Sequence, residues 1–117
     1  MVRVRAIIKK GSKFLLIKSA EPQSYGQWLF VGGNADSSDL KEEIKREVKE
    51  EIGADLKNTL YAFTIEGRRG KILFYTGNIS GKLKLQKNEV MDYGYFSKAE
   101  IKKLNLANST KLAMEKL

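Results

Sequence analysis

Histidine and cysteine are both absent from the 117 residues, and proline occurs once, at Pro22. Without histidine no Ser-His-Asp or Cys-His relay can be built, and without either residue there is no nitrogen or sulfur zinc site and no disulfide framework. Any bound metal must therefore sit on oxygen, a donor set that selects hard cations such as Mg²⁺, Mn²⁺ or Ca²⁺. Long hydrophobic runs are missing too. The apolar stretches 14–17 and 72–75 fall far short of the roughly 20 residues that span a bilayer. At the amino terminus Val2 and Val4 alternate with Arg3 and Arg5, so no signal-peptide core is expected. A chain of this length is expected to fold as one domain over residues 1–117, with no membrane segment and a cytoplasmic location.

What is abundant is charge of one sign. There are 22 Lys+Arg against 14 Asp+Glu, a formal net charge of +8 that suits an anionic partner such as nucleic acid, a membrane surface or a phosphorylated small molecule. The lysines are scattered along the whole chain, from Lys9 to Lys116, which is also how a heat-adapted surface looks. A dedicated nucleic-acid partner, which calls for a basic stripe on one face, is not expected.

Alternation of Val2, Val4 and Ala6 with Arg3 and Arg5 predicts a strand over 2–8, and a turn at 9–12 leads into a second over 14–18. A short apolar strand over 28–31 ends on the pair Gly32-Gly33. Asp39, with Glu42 three residues on, opens the one strongly helical segment in the manner of a capping box, and Gly53 closes it. Segments 60–65 and 71–76 flank Gly67-Arg68-Arg69-Gly70 and read as a hairpin with a basic tip. Leu83 and Leu85 suggest an edge strand, 92–96 a further strand, and 98–104 and 109–117 two terminal helices. Strands on both sides of a central helix indicate a mixed sheet with helices packed on it.

The central helix is more acidic than its local physics favours. Leu40, Ile44, Val48 and Ile52 form its apolar arc, and Glu47, Glu50 and Glu51 gather at one border of that arc, pointing toward the sheet edge. Glu43, Glu47 and Glu51 follow one another at i,i+4, where each like-charge pair costs a few tenths of a kcal/mol, and the macrodipole disfavours anions in the second half of a helix. An i,i+4 ladder of Glu42, Arg46 and Glu50 accounts for Glu50 as a solvated ion-paired face but leaves Glu47 and Glu51 unpaired beside the core. A divalent cation would remove the repulsion, and broken local rules of this kind mark functional sites.

The segment 32–54, GGNADSSDLKEEIKREVKEEIGA, resembles the Nudix box, G-x5-E-x7-R-E-U-x-E-E-x-G-U with U aliphatic. Its second half, from Arg46 to Gly53, matches at every specified position. Upstream, Trp28-Leu29-Phe30-Val31-Gly32-Gly33 is similar to the family's aromatic strand and glycine pair, and 89–96 resembles its Glu-containing loop and following aromatic strand. Two departures stand out: Ser38 occupies the position eight before Arg46 where Glu is usual, with a loop one residue shorter, and Val31 stands where Pro is usual. They bear on loop shape and substrate more than on the helical carboxylates.

The resemblance implies an α/β/α sandwich with a mixed sheet and a catalytic loop-helix-loop, hydrolysing a nucleoside diphosphate linked to another moiety with Mg²⁺ or Mn²⁺. By position Glu47, Glu50 and Glu51 match the metal ligands and Arg46 the arginine that orients them; Gly33 is a further metal-binding candidate, and Glu89 is a candidate fourth ligand or general base, with an ordinary surface Glu as the alternative. Arg5, Lys18, Gly32, Gly33 and Asn34 are candidate substrate contacts, and Arg68, Arg69 and Lys71 could meet phosphates from the hairpin tip. Trp28, Tyr25 or Phe63 could stack on a base, although core packing is the expected role of Trp28 and Phe63, which both sit in apolar strands. The expected substrate is a nucleoside triphosphate, oxidised or not, cut to the monophosphate and pyrophosphate. ADP-ribose, dinucleoside polyphosphates, nucleotide sugars and triphosphorylated RNA ends are the alternatives, as is a non-catalytic nucleotide sensor, which Ser38 and the short loop would favour. Many members of the family form homodimers, but no feature here marks an interface.

Overall fold

β1 (Arg3–Lys10) is the strand around which the molecule is built. In this computed structural model, which describes residues 2–117, β1 pairs parallel with β6 (Gly70–Ser80) and antiparallel with β4 (Val31–Asn34). Its last residues, Lys9 and Lys10, turn through Gly11 into β2 (Lys13–Ser19). β2 carries β3 (Trp28–Leu29) and β7 (Val90–Phe96), and β6 carries β5 (Asp55–Gly67) as an antiparallel hairpin. The result is a seven-stranded mixed sheet, as the element pattern predicts.

Both faces of that sheet are covered, which explains why β1 and β2 read as nearly continuous apolar runs. Val4, Ala6, Ile8, Leu15 and Ile17 face α1 (Leu40–Ile52), meeting Ile44, Val48 and Ile52, all three fully buried. The alternate residues Ile7, Phe14 and Leu16, with Phe30, Ile72 and Phe74, face α2 (Lys98–Ile101) and α3 (Asn108–Met114) through Ile101 and Ala113. Each such aliphatic side chain contributes about 1.5–3 kcal/mol on burial, so the two cores fix the layering. This is the α/β/α sandwich expected from the sequence.

Several boundaries differ from expectation. The strand expected over 28–31 divides at Phe30 into β3 and β4, and the glycine pair lies inside β4 instead of in a loop. The hairpin arms are longer, and the terminal helices shorter, than their apolar patterns suggest. Leu83 and Leu85 form no strand. The amides of Lys84 and Gln86 donate instead to the carbonyls of Ile52 and Glu51, so this segment caps the end of α1 while the two leucines pack on the core.

Candidate active site

α1 begins where the Asp39 side chain accepts from the Glu42 amide at 3.3 Å, and ends at Gly53, whose φ of 70° is the left-handed value favouring glycine. The reciprocal half of the capping box is absent, since the Asp39 amide donates to the Ser37 hydroxyl. Between these caps Glu43, Glu47 and Glu51 are all buried, on the side of the helix that meets β4.

The glycine pair makes that approach possible. A Cβ on Gly33 would lie 2.6 Å from Glu47 Oε2, and one on Gly32 only 2.0 Å from the Val4 carbonyl oxygen. The Gly32 amide donates to Glu51 Oε1 at 2.8 Å. Gly32 is thus pressed against β1, and Gly33 lies under the Glu47 carboxylate.

Arg46 fans across the acidic face. Its guanidinium donates to Glu50 at 2.9 Å and to Glu43 at 3.2 Å, lies 3.2 Å from Glu47 and 3.3 Å from Asp36, and reaches the Asn34 carbonyl at 3.3 Å. Glu47 is therefore ion-paired, contrary to the expectation from helical spacing, and Glu42 pairs with Lys45 and not with Arg46. Glu43, noted in the i,i+4 acidic series but not among the expected site residues, accepts from the amides of Asp36 and Ser37 and so ties the loop before α1 to the helix. Ser38, at the position where Glu is usual, is exposed, and its carbonyl accepts from the Leu40 amide.

Two further carboxylates arrive from loops. Glu89, just before β7, and Glu21, just after β2, place carboxylate oxygens within 4.8 Å of each other and of Glu51. A hydrogen bond from the Ala20 amide to the Glu89 carbonyl, 2.8 Å, holds the two loops together. No local pattern announced Glu21. Only the topology, which ends β2 beside the start of β7, brings it here.

The electrostatics follow from this crowding. Burial pushes the Glu51 carboxyl up to about 8, with Arg5 and the Gly32 amide opposing and Glu47 and Glu89 adding to the rise. Burial likewise lifts Glu47 to about 6 despite Arg46. Glu89 is raised by burial and then by Glu21 and Glu50. Glu43 goes the other way, lowered by Arg46 and the loop amides. A set of carboxylates short of countercharge, all offering oxygen, fits a hard divalent cation.

These groups line a cleft of about 510 Å³. Arg5, Gly32, Gly33, Asn34, Glu47, Glu50, Glu51 and Glu89 all reach it, as do Arg68 and Arg69 and the unanticipated Arg3, Glu21 and Asn108. Arg46 stands behind the carboxylates. Lys18 and Trp28 do not reach the cleft: Lys18 lies on β2 opposite Trp28 and Asp92, and the Trp28 ring packs edge-on against Phe96 in the second core. Phe63 stacks on Phe74, and Tyr25 is exposed and does not line the cleft, although its neighbour Ser24 does. Lys71 is exposed on β6 opposite Glu66.

The NUDIX domain profile matches residues 1–117. The chain belongs to the NUDIX family. As a Nudix hydrolase it is a pyrophosphohydrolase acting on acid anhydrides, in a family that generally needs a divalent metal. The fold is similar to that of the MutT NUDIX hydrolase from Burkholderia pseudomallei, with 23% identity, coverage of 99% of this chain and 96% of that one, and a TM-score of 0.88. It is similar also to the NUDIX domain of Shewanella oneidensis NrtR, solved with ADP ribose (20% identity, 98% and 84% covered, TM-score 0.81). A third similar structure is the MutT protein from Methanosarcina mazei Go1 (25% identity, 99% and 91% covered, TM-score 0.72). No curated protein matches the chain. Among the described residues of this Nudix domain, no helix is long and apolar enough to cross a membrane.

Proposed function

We propose that this Nudix hydrolase cleaves a nucleoside diphosphate linked to another moiety, with a nucleoside triphosphate as its substrate and the monophosphate and pyrophosphate as products. The observation that carries this reading is a cleft lined by Glu47, Glu50 and Glu51 of one helix together with cationic Arg3, Arg5, Arg68 and Arg69, in which carboxylate oxygens of Glu51 and of the loop residues Glu21 and Glu89 lie within 4.8 Å of one another. Glu47, Glu50 and Glu51, with the Gly33 carbonyl as a further donor, would hold Mg²⁺ or Mn²⁺, leaving Glu89 as the base. When bound, such an ion neutralises phosphate oxygens and acidifies water.

The chain's own groups do the rest. Arg46 fixes Glu43, Glu47 and Glu50 at once, so the carboxylates are positioned before substrate arrives. Arg5 balances part of the charge on Glu51 and presents a cation to a phosphate. Water attacks phosphorus, the bridging P–O bond breaks, the departing phosphate takes the electron pair, and Glu89 accepts the proton of the attacking water. The similar NrtR domain is solved with ADP ribose, which makes ADP-ribose the substrate to test beside the triphosphates. The test is a panel of nucleoside triphosphates, ADP-ribose, dinucleoside polyphosphates and triphosphorylated RNA, with and without Mg²⁺ or Mn²⁺, scored by phosphate and pyrophosphate release. Pyrophosphate from triphosphates, only with metal, is the expected result. Tight binding without turnover of any member would contradict the proposal.

A further inference from the structure

Part of the cleft lining is built from guanidinium groups. Arg3 and Arg5 sit two apart on β1, and Arg69 comes from the tip of the β5–β6 hairpin. The Arg3 side chain lies against the same hairpin, with Nη2 2.7 Å from where a Cβ on Gly67 would be. The three cations are near enough for Arg5 and Arg69 both to lower the pKa of Arg3, after burial, which is the largest cause. Among the described residues none of them forms an ion pair within 4.0 Å, although seven such pairs exist elsewhere. The Nε atoms of Arg3 and Arg5 are buried without a partner, and Arg5 keeps only the Phe30 carbonyl, at 3.0 Å. Arg5 has Glu51, Glu21 and Glu47 as counter-charges at longer range, but Arg3 is set beside like charges alone, a cost that an anion relieves.

The same cleft has no aromatic wall. Among the described residues that line it there is no Phe, Tyr or Trp, so a nucleobase finds no aromatic ring to stack on there. Arg5 is the link between the two ends, because its charge is felt by Glu51, Glu21 and Glu47 on one side and by Arg3 on the other.

We propose that the Arg3–Arg5–Arg69 wall seats the terminal phosphate of a chain of three phosphates, so that the substrate enters with its polyphosphate end against the arginines and its nucleoside turned away and unread. This rests on the reading of the cleft as a phosphoanhydride hydrolase and deepens it: the substrate class is set by phosphate number and not by the base. Inorganic triphosphate, which has no nucleoside at all, is then also a substrate, yielding phosphate and pyrophosphate with water added across one P–O–P bridge.

Two experiments test the proposal. In the first, kcat/KM is measured with metal for inorganic triphosphate, for the four common ribonucleoside triphosphates and for ADP-ribose, in the wild type and in Arg3→Gln and Arg69→Gln. The four nucleotides are expected to agree within about threefold, inorganic triphosphate to be cleaved, and the ratio of triphosphate to ADP-ribose turnover to fall at least about tenfold in either variant. Arg69 is exposed at a hairpin tip, so Arg69→Gln reports even if Arg3→Gln fails to fold. A base preference above about thirtyfold, or an unchanged ratio in the variants, would overturn the proposal. In the second, calorimetry follows binding of inorganic triphosphate to metal-free protein, where a loss of at least about tenfold in Arg69→Gln is expected and an unchanged affinity would overturn the seat. Wild-type binding that depends on Arg69, without hydrolysis of any anhydride, would leave the seat standing and refute the hydrolase reading instead.

Discussion

Glu51 and Glu47 are the residues on which the electrostatic argument turns. Their folded-state pKa values, about 8 and about 6, lie above the ordinary carboxylate value of 4.5, so the native metal-free protein binds more protons than the unfolded chain between those limits. Stability must then fall as pH rises through this window, since ∂ΔG/∂pH follows the protons bound by the unfolded state minus those bound by the native one. Thermal melting in EDTA from about pH 5 to about pH 8.5 should show a declining midpoint, and Glu51→Gln should remove most of the decline. A flat profile would mean that the two carboxyls are not desolvated. Glu43 has the opposite sign: its lowered pKa contributes stability that is lost only as pH falls below the usual carboxylate range. Gly33 tests the geometry of the same pair. Because a Cβ at this position would displace only the tip of Glu47, Gly33→Ala should fold normally yet bind Mn²⁺ about tenfold more weakly, as measured by calorimetry. Unchanged affinity would remove Glu47 from the site.

α1 was legible because every local signal in it agrees: Asp39 at its start, Gly53 at its end, an apolar arc of Leu40, Ile44, Val48 and Ile52, and carboxylates bordering that arc. Asp39→Ala should cost about 1 kcal/mol in chemical denaturation through loss of the bond to the Glu42 amide, without changing the m-value. A loss well below that would show that the Ser37–Asp39 turn caps the helix without help. Elements whose role is set by distant partners were not legible. Leu83 and Leu85 alternate like a strand, but the neighbouring amides are taken up by the carbonyls of Ile52 and Glu51. Trp28 has a ring that suits base stacking, yet its backbone is held by Asn105 and Ala107 and its ring by Phe96, which turns it into the second core. Glu21 and Arg3 carry no motif, and reach the cleft because β2 ends beside β7 and because the β5–β6 hairpin tip folds over β1.

At the scale of the whole molecule, the absence of histidine and cysteine and the excess of positive charge find a joint explanation. With nitrogen and sulfur ligands missing, the metal chemistry proposed for the fold falls to glutamates, and a chain carrying a net +8 surrounds that acidic patch with cations suited to phosphate. The two cores hold the sheet between α1 and the α2–α3 pair, so that the glycine pair, the acidic helix face and the arginine strand meet at one cleft. The central claim is that the buried carboxylates of α1 drive metal-dependent cleavage of a phosphoanhydride. Its most direct test is the steady-state hydrolysis of a nucleoside triphosphate by Glu51→Gln at saturating Mg²⁺, with circular dichroism to confirm the fold. A fall in kcat of at least about a hundredfold with the fold retained is expected, and a folded variant with wild-type turnover would overturn the assignment of Glu51 to the reaction.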